Sequence, residues 1–188
     1  MPDPENHNAF LARQDDDIEL LLKYRKGRGS ALEELLVRHK KSIYNFICRR
    51  TNDFSIANEL IQELSLKVVE NIDKFKPERA GSFRQWLYQI ATNLCNDYFR
   101  HRQRARSFEA EIKTRLTGYD KEVNFEVNLE TEELLARLPE EQKEVVLLKI
   151  YSGLTFQEIS EIVKCPLNTV ISRMHYALKT LRKNLKNI

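Results

Sequence analysis

Residues 154–182, LTFQEISEIVKCPLNTVISRMHYALKTLR, carry more of this chain's meaning than any other segment. They read as two helices joined by a tight turn. Thr155 followed three residues later by Glu158 is a capping box, in which hydroxyl and carboxylate each satisfy a free backbone N–H at the helix start. Gly153 suits the end of a preceding helix. Ile159 and Ile162 share one face before Lys164-Cys165-Pro166 breaks the pattern, because proline disfavours helical backbone in the residue before it. After Pro166, the spacing of Val170, Met174, Ala177, Leu178 and Leu181 predicts an inward stripe. The opposite face shows Asn168, Thr169, Ile171, Ser172, Arg173 and His175, side chains that donate to, accept from or touch base edges in a major groove. From Ile162 to the C-terminus there are six Lys/Arg and no Asp/Glu. The pattern fits a helix-turn-helix facing an anion. An ordinary helical hairpin in a core is the plainer alternative, and the missing acids count against it.

Outward from that segment, 188 residues allow one domain or two small ones. The formal charge of +3 hides a segregation. Residues 1–20 carry six acids against one Arg, and 107–144 carry eleven acids against five bases. Bases concentrate at 100–106 and after 162, which points to an anionic partner. Cys48, Cys95 and Cys165 lie far apart without paired spacing, which argues against a zinc site or a disulfide framework and fits a reducing compartment. Cys165 in the turn invites a redox role, but a single thiol with no Cys neighbour is more often a small core residue. The N-terminus has no basic region followed by an apolar run, so no secretory signal is expected, and no apolar run is long enough to insert in a membrane. With five Gly and five Pro and few alternating β-branched runs, the chain reads as all-α and cytoplasmic. His7, His39, His101 and His175 form no evident constellation with Cys or carboxylates, and there is no glycine-rich phosphate loop. No catalytic residue, metal or cofactor is therefore expected.

In chain order, residues 1–14 read as a disordered tail. Asp15-Asp16-Asp17 then favour a helix N-terminus ahead of Ile18, Leu20, Leu21 and Leu22, and Gly27 and Gly29 end that helix. Ser30 with Glu33 predicts a second capping box, opening a helix through Leu36, Ile43, Phe46 and Ile47. Its exposed face is basic: Arg38, Lys40, Lys41, Arg49 and Arg50. A third helix runs from about Ser55 to Ile72, with Ile56, Leu60, Leu64 and Val68 inward and Ile61, Leu66 and Val69 widening the stripe. Its Glu59, Gln62, Glu63 and Glu70 form a solvated polar face or, alternatively, a docking surface for a basic helix. Pro77 and Gly81 mark a loop. Ser82 with Gln85 predicts a third capping box, restarting a helix whose Trp86, Ile90, Leu94 and Tyr98 read as core. That helix ends on Arg100, Arg102, Arg104 and Arg106, more cation than a helix terminus needs. Beside a loop and aromatics this reads as a nucleic-acid site, with unpaired bases stacked or pocketed nearby. Residues 107–130 lose periodicity and read as a flexible linker. Thr131 opens a short helix ending at Leu138-Pro139, and a following helix buries Val145, Leu148 and Tyr151. The expected architecture is two small helical domains, 15–106 and 131–188, joined by that linker.

Three stretches resemble bacterial sigma factors of the small, two-domain extracytoplasmic-function class, over nearly all of residues 15–185. They are the helix bearing Glu59, Leu60, Gln62 and Glu63; GSFRQWLYQIATNLCNDYFRHRQR (81–104); and LPEEQKEVVLLKIYSGLTFQEISEIVKCPLNTVISRMHYALKTLR (138–182). A lone helix-turn-helix is shared by many regulators, whereas all three stretches in order around a linker are far more specific. The resemblance implies that Glu59, Leu60, Gln62 and Glu63 bind core RNA polymerase. It implies minus-ten DNA contacts by Phe75, Lys76, Arg79, Ser82, Phe83, Arg84, Trp86, Tyr88, Asn93, Arg100 and Arg102. It implies minus-thirty-five contacts by Thr155, Pro166, Leu167, Asn168, Thr169, Ile171, Ser172, Arg173 and His175. Implied partners are the polymerase β′ clamp helices and β flap, promoter DNA and an anti-sigma factor. The chain departs from the family at Ser65 and Val69, where Phe and Trp are common, and at Ile171, where a cation is usual. A stand-alone helix-turn-helix regulator, an RNA-processing role for the basic aromatic domain, and a decoy that occupies polymerase without initiating are the rivals at this stage.

Overall fold

The computed structural model describes residues 16–77, 81–109 and 129–185, and all regular structure among them is helical. Helix α1 spans 16–25 and gives way at Gly27, whose φ of +92° is open to glycine without steric cost. Helix α2 is Ser30–Thr51. The predicted Ser30–Glu33 box is absent, because Gly29 already has helical backbone and takes the N-cap position. Ser30 therefore falls inside the first turn, where its hydroxyl accepts from Arg28 Nε at 3.3 Å.

Helix α3 is Phe54–Asn71. Its cap is Asp53, which accepts from the Ser55 and Ile56 amides at 2.9 and 3.1 Å. A 3₁₀ turn, Ile72–Lys74, follows. Helix α4 is Phe83–Glu109. Ser82 Oγ accepts from the Gln85 amide at 3.1 Å, but the reciprocal half of that box is missing: the Gln85 side chain donates to Glu161 Oε2 at 2.7 Å instead. The remaining helices are α5 (Leu129–Ala136), α6 (Glu140–Ser152), α7 (Phe156–Ile162) and α8 (Leu167–Leu185). The short helix thus starts two residues before the predicted Thr131. Both edges of the predicted linker are helical, at 107–109 and 129–130, and its middle lies outside the described residues, as does the predicted tail.

Helices α1 to α4 enclose Leu35, Ile43, Phe46, Ile47, Leu64, Val68 and Leu87, while Val145, Leu148, Leu154, Ile159 and Val170 fill the space between α6, α7 and α8. Each fully buried aliphatic side chain contributes roughly 1.5–3 kcal/mol. Parts of three predicted stripes are corrected. On α4 only Leu94 of the expected four is fully buried; Trp86, Ile90 and Tyr98 are half-buried and pack against the edge of the core, and the inner seam is Phe83, Leu87, Ala91 and Leu94 with Tyr88 and Cys95 beside it. So many apolar side chains ring this helix that periodicity alone leaves its rotation open by about one residue. On α3 Leu66 and Val69 do not widen the core but stand 63% and 55% exposed. Leu178 likewise leaves the α8 stripe, at 43% exposure.

The two halves pack together, α6 against α2 and α4, and α7 against α4. Arg49 and Arg50, expected on an exposed face, are 8% and 7% exposed, because α6 covers the C-terminal end of α2. Arg50 Nη1 donates to Glu140 Oε2 and its Nη2 to Glu144 Oε1 at 3.4 Å. Burial raises the Glu144 carboxyl above its ordinary range, and the neighbouring Arg50 only partly offsets it. The folded chain therefore takes up a proton there more readily than the unfolded chain. Its contribution to stability grows as pH falls through that window and is smallest at neutral pH. Glu144→Gln is accordingly expected to raise the Tm near pH 7, with the gain shrinking as the pH is lowered through the carboxylate range. A loss of stability at pH 7 would mean that pairing with Arg50 outweighs burial.

Candidate nucleic-acid interface

The predicted capping box at the start of α7 is complete: Glu158 N donates to Thr155 Oγ1 at 3.2 Å, and Thr155 N donates to Glu158 Oε2 at 2.7 Å. Gly153 ends α6 in left-handed backbone at φ +66°. In the turn, Lys164 takes φ +53° and the Cys165 amide returns to the Ser160 carbonyl at 3.1 Å. The Pro166 carbonyl then accepts from the Thr169 and Val170 amides at 2.9 and 3.1 Å, starting α8. Val170 and Ala177 anchor α8 fully buried. That rotation leaves Pro166, Leu167, Asn168, Ile171, Ser172 and His175 exposed and Thr169 and Arg173 half-buried, with Thr155 exposed at the start of α7. Arg173 Nη1 donates to Cys165 Sγ at 3.7 Å, which ties the turn to the helix and aims the guanidinium. The turn and α8 carry no acid, so the outward face of α8 offers a phosphate or base edge no carboxylate of its own.

A second surface lies beside the 72–83 segment. Phe75, Phe83 and Trp86 form an aromatic cluster, with ring centroids 4.9 Å apart for Phe75–Trp86 and 5.8 Å for Phe75–Phe83. Arg25 Nη2 donates to the Phe75 carbonyl at 2.6 Å and ties the backbone there to α1. Against it opens a cavity of about 430 Å³ lined by Lys67, Asn71, Lys74, Phe75, Lys76, Trp86 and Ile90. Aromatic walls with a rim of lysines suit a planar base carrying a phosphate. Phe75, 3% exposed, serves as a wall and is backed by the equally buried Phe83, while Trp86 is half-buried and Lys76 is exposed. Lys67, Asn71 and Lys74 were missed from sequence, although their spacing of four and three on one helix face, continued by Lys76, was the available signal. Arg79 lies outside the described residues.

The other residues expected at this surface divide. Ser82 is half-buried as the cap of α4, and Asn93, Arg100 and Arg102 are exposed. Asn93 Oδ1 accepts from Gln89 at 3.2 Å, Arg100 pairs with Asp97 at 3.1 Å, and Arg102 Nη1 donates to Tyr98 Oη at 3.4 Å. Arg84 and Tyr88 are instead buried, and Tyr88 Oη donates to the Tyr151 carbonyl at 2.6 Å.

On α3, Glu59, Gln62 and Glu63 are exposed, whereas Leu60 is 8% exposed and faces the core. Leu60 therefore lies beneath the exposed acidic face of α3 rather than in it. The exposed Leu66 and Val69 share the helical face of Glu59, Gln62 and Glu63, giving an apolar patch rimmed by acids. Val69 also borders a groove of about 390 Å³ shared with Leu32, Leu36, Val37 and Leu64.

The sequence pattern of sigma-70 region 2 matches residues 35–105, and that of sigma-70 region 4 matches residues 128–181. The ECF RNA polymerase sigma factor SigW of Bacillus subtilis is 30% identical across 91% of this chain and 100% of its own length. The ECF RNA polymerase sigma-E factor of Escherichia coli is 28% identical across 91% and 95%. Among solved structures, the sigma factor RpoE of Bartonella quintana, in complex with the anti-sigma factor NepR, superposes with a TM-score of 0.70 at 20% identity, covering 82% of this chain and 96% of that one. CnrH, in complex with the cytosolic domain of CnrY, gives 0.67 at 21% identity, covering 91% and 97%. With both regions matched in order and a relative aligned along its whole length, the chain belongs to the extracytoplasmic-function sigma factors of the sigma-70 family.

Proposed function

We propose that this sigma factor binds core RNA polymerase through the α3 face of Glu59, Gln62, Glu63, Leu66 and Val69, which fits the β′ clamp helices. It reads the minus-ten element beside Trp86 and Lys76 and the minus-thirty-five element with α8. The chain supplies no chemistry of its own; it selects and opens the promoter for the polymerase, in the cytoplasm where both are found. Domains at 15–106 and 131–188 divide the two DNA tasks, and the β flap receives the second. The observation that carries the reading is the acid-free face of α8 held outward by Val170 and Ala177. Phosphate contacts supply salt-sensitive affinity, and base-edge contacts supply sequence. Capture of a base beside Trp86 offsets the few kcal/mol, about the cost of unstacking, that melting requires. An anti-sigma factor is the natural regulator, in keeping with the captured state of the Bartonella relative.

The test is transcription by core polymerase from a randomised library of duplex promoters, with and without the protein. Start sites that depend on the protein support the reading, and their upstream sequences give both elements. Binding to naked duplex without binding to polymerase would favour a stand-alone regulator. Within this scheme Arg173→Ala is expected to weaken binding to the recovered promoter by about 1–3 kcal/mol at fixed salt. Unchanged affinity with unchanged Tm would remove Arg173 from the interface.

A further inference from the structure

This inference rests on the reading that the cavity beside Trp86 receives a minus-ten base, and it concerns what sets the shape of that cavity. Phe75 and Phe83 stand at the two ends of the loop that Pro77 and Gly81 mark, and contacts from α1 lead to both. Toward Phe75, Arg25 Nη2 donates to the main-chain carbonyl at 2.6 Å. That carbonyl closes a 3₁₀ turn, so the guanidinium supplies a donor of the kind that helix ends lack. Toward Phe83, the path runs through two buried side chains. Asp17, 3% exposed, accepts from Arg38 Nη1 on Oδ1 at 2.9 Å and holds Oδ2 2.8 Å from His39 Nε2. The His39 ring, 4% exposed, lies 5.8 Å from that of Phe83, centroid to centroid. Phe83 in turn stands 5.7 Å from Trp86, and Phe75 stands 4.9 Å from it. We propose that Asp17 and Arg25 are positioning residues for promoter opening: they fasten α1 at two points and so hold Phe75 and Trp86 in the arrangement that receives the unstacked base.

Plain packing does not need these groups. Leu20 and Leu21, each 4% exposed, already seat α1 on the core. A carboxylate in such a place is costly unless it is paired, and a well-packed apolar side chain is often no worse for stability. What the Asp17 pairing adds is direction. Two neighbours on α2, Arg38 and His39, meet the two oxygens of one carboxylate, which fixes the register of α1 against α2. Arg25, eight positions on, is then delivered to Phe75 roughly 12 Å along the same helix. The cavity itself is assembled from α3, the 3₁₀ turn, the segment after it and α4, so no single element sets its shape. A site that is formed in only a fraction of the molecules binds with an affinity reduced by that fraction. The hold of α1 therefore acts on base capture and leaves the α3 face and α8 as they are.

Trp86 is the sole tryptophan of the sequence, so its fluorescence reports the cavity without a label. Arg25→Ala, Arg25→Lys and Asp17→Asn would be compared with wild type, with circular dichroism as the check on folding. Arg25 is exposed, so its variants decide the matter even if Asp17→Asn unfolds. The expected result is a red-shifted emission, more readily quenched by acrylamide, in Arg25→Ala and Asp17→Asn. Arg25→Lys, which keeps a donor for the Phe75 carbonyl, should stay close to wild type. The proteins would then be titrated with the single-stranded minus-ten segment of a promoter recovered from the library. Arg25→Ala and Asp17→Asn should bind it roughly three- to tenfold more weakly, of the order of one net hydrogen bond, while affinity for core polymerase stays equal. The salt dependence of binding should keep its slope in Arg25→Ala. A clearly shallower slope would make Arg25 a phosphate contact and overturn its positioning role. Unchanged emission in both variants overturns the hold of α1 on the cavity, and altered emission with unchanged binding overturns its part in base capture. Fluorescence needs no DNA, so if wild type itself does not bind the segment, the minus-ten reading fails while the hold is still decided.

Discussion

Leu66→Asp combined with Val69→Asp is expected to abolish assembly with core polymerase while leaving the fold intact. Both side chains are more than half exposed, so the folded chain should lose no more than about 0.5 kcal/mol for each. In the complex proposed above they would form the apolar centre of a face whose rim is Glu59, Gln62 and Glu63. The centre of such an interface is desolvated and carries the hot spots, each costing at least about 2 kcal/mol when lost. Two buried aspartates opposite an apolar partner surface therefore predict a loss of at least a thousandfold, about 4 kcal/mol. Rim changes such as Glu59→Ala should cost far less and mainly alter the salt dependence. Native gel mobility of the polymerase complex, with Tm as control, measures both. A double variant that assembles normally would place the docking face elsewhere on the chain.

Phe46→Ala is expected to be the most destabilising single truncation. Phe46 is fully buried and meets Tyr88 edge-on, with ring centroids 5.4 Å apart and planes at 68°. Removing a buried phenyl ring costs about 3–5 kcal/mol, the sum of lost transfer energy and the cavity left behind. Whole-domain stability is typically only about 5–15 kcal/mol. For a chain of this length the Tm should fall by roughly 6–20 °C. Because Tyr88 rests on Phe46 and closes onto Tyr151, the truncation should loosen the seam between the halves as well. Leu178→Ala, on an exposed face of α8, provides the contrast and should shift the Tm little. Calorimetry on both variants decides the matter, and equal melting temperatures would mean that the ring at position 46 is not packed as described.

Much of the local structure was legible beforehand. Thr155 and Glu158 made the start of α7 unambiguous, since few other pairs at that spacing satisfy two orphan N–H groups at once. The outward set on α8 could be read because Val170 and Ala177 define the inward line clearly, although Leu178, counted with them, turns outward. The Ser30–Glu33 box failed for a local reason: the sequence allowed Gly29 to enter helical backbone one residue early. Asp53 caps α3 two residues before the expected start at Ser55, because apolar periodicity marks where inward side chains begin and not where the backbone is capped. The rotation of α4 could be read only to within about one residue, since a helix apolar on several sides offers no single stripe.

The sequence by itself determined several helix ends, Gly153 and Thr155 among them, the residues that line the outward face of α8, and the family that the chain resembles. Those features rest on interactions within a few residues, and local spacing records them. Tertiary structure alone decided that Arg49, Arg50 and Tyr88 are buried, that Leu66 and Val69 stand exposed, and that Phe75 and Trp86 wall a lysine-rimmed cavity. Arg50 and Glu140 are 90 positions apart, and Tyr88 and Tyr151 are 63 apart. A helical period describes which face of a helix is apolar; it holds no record of which distant helix that face, or the polar one beside it, will meet.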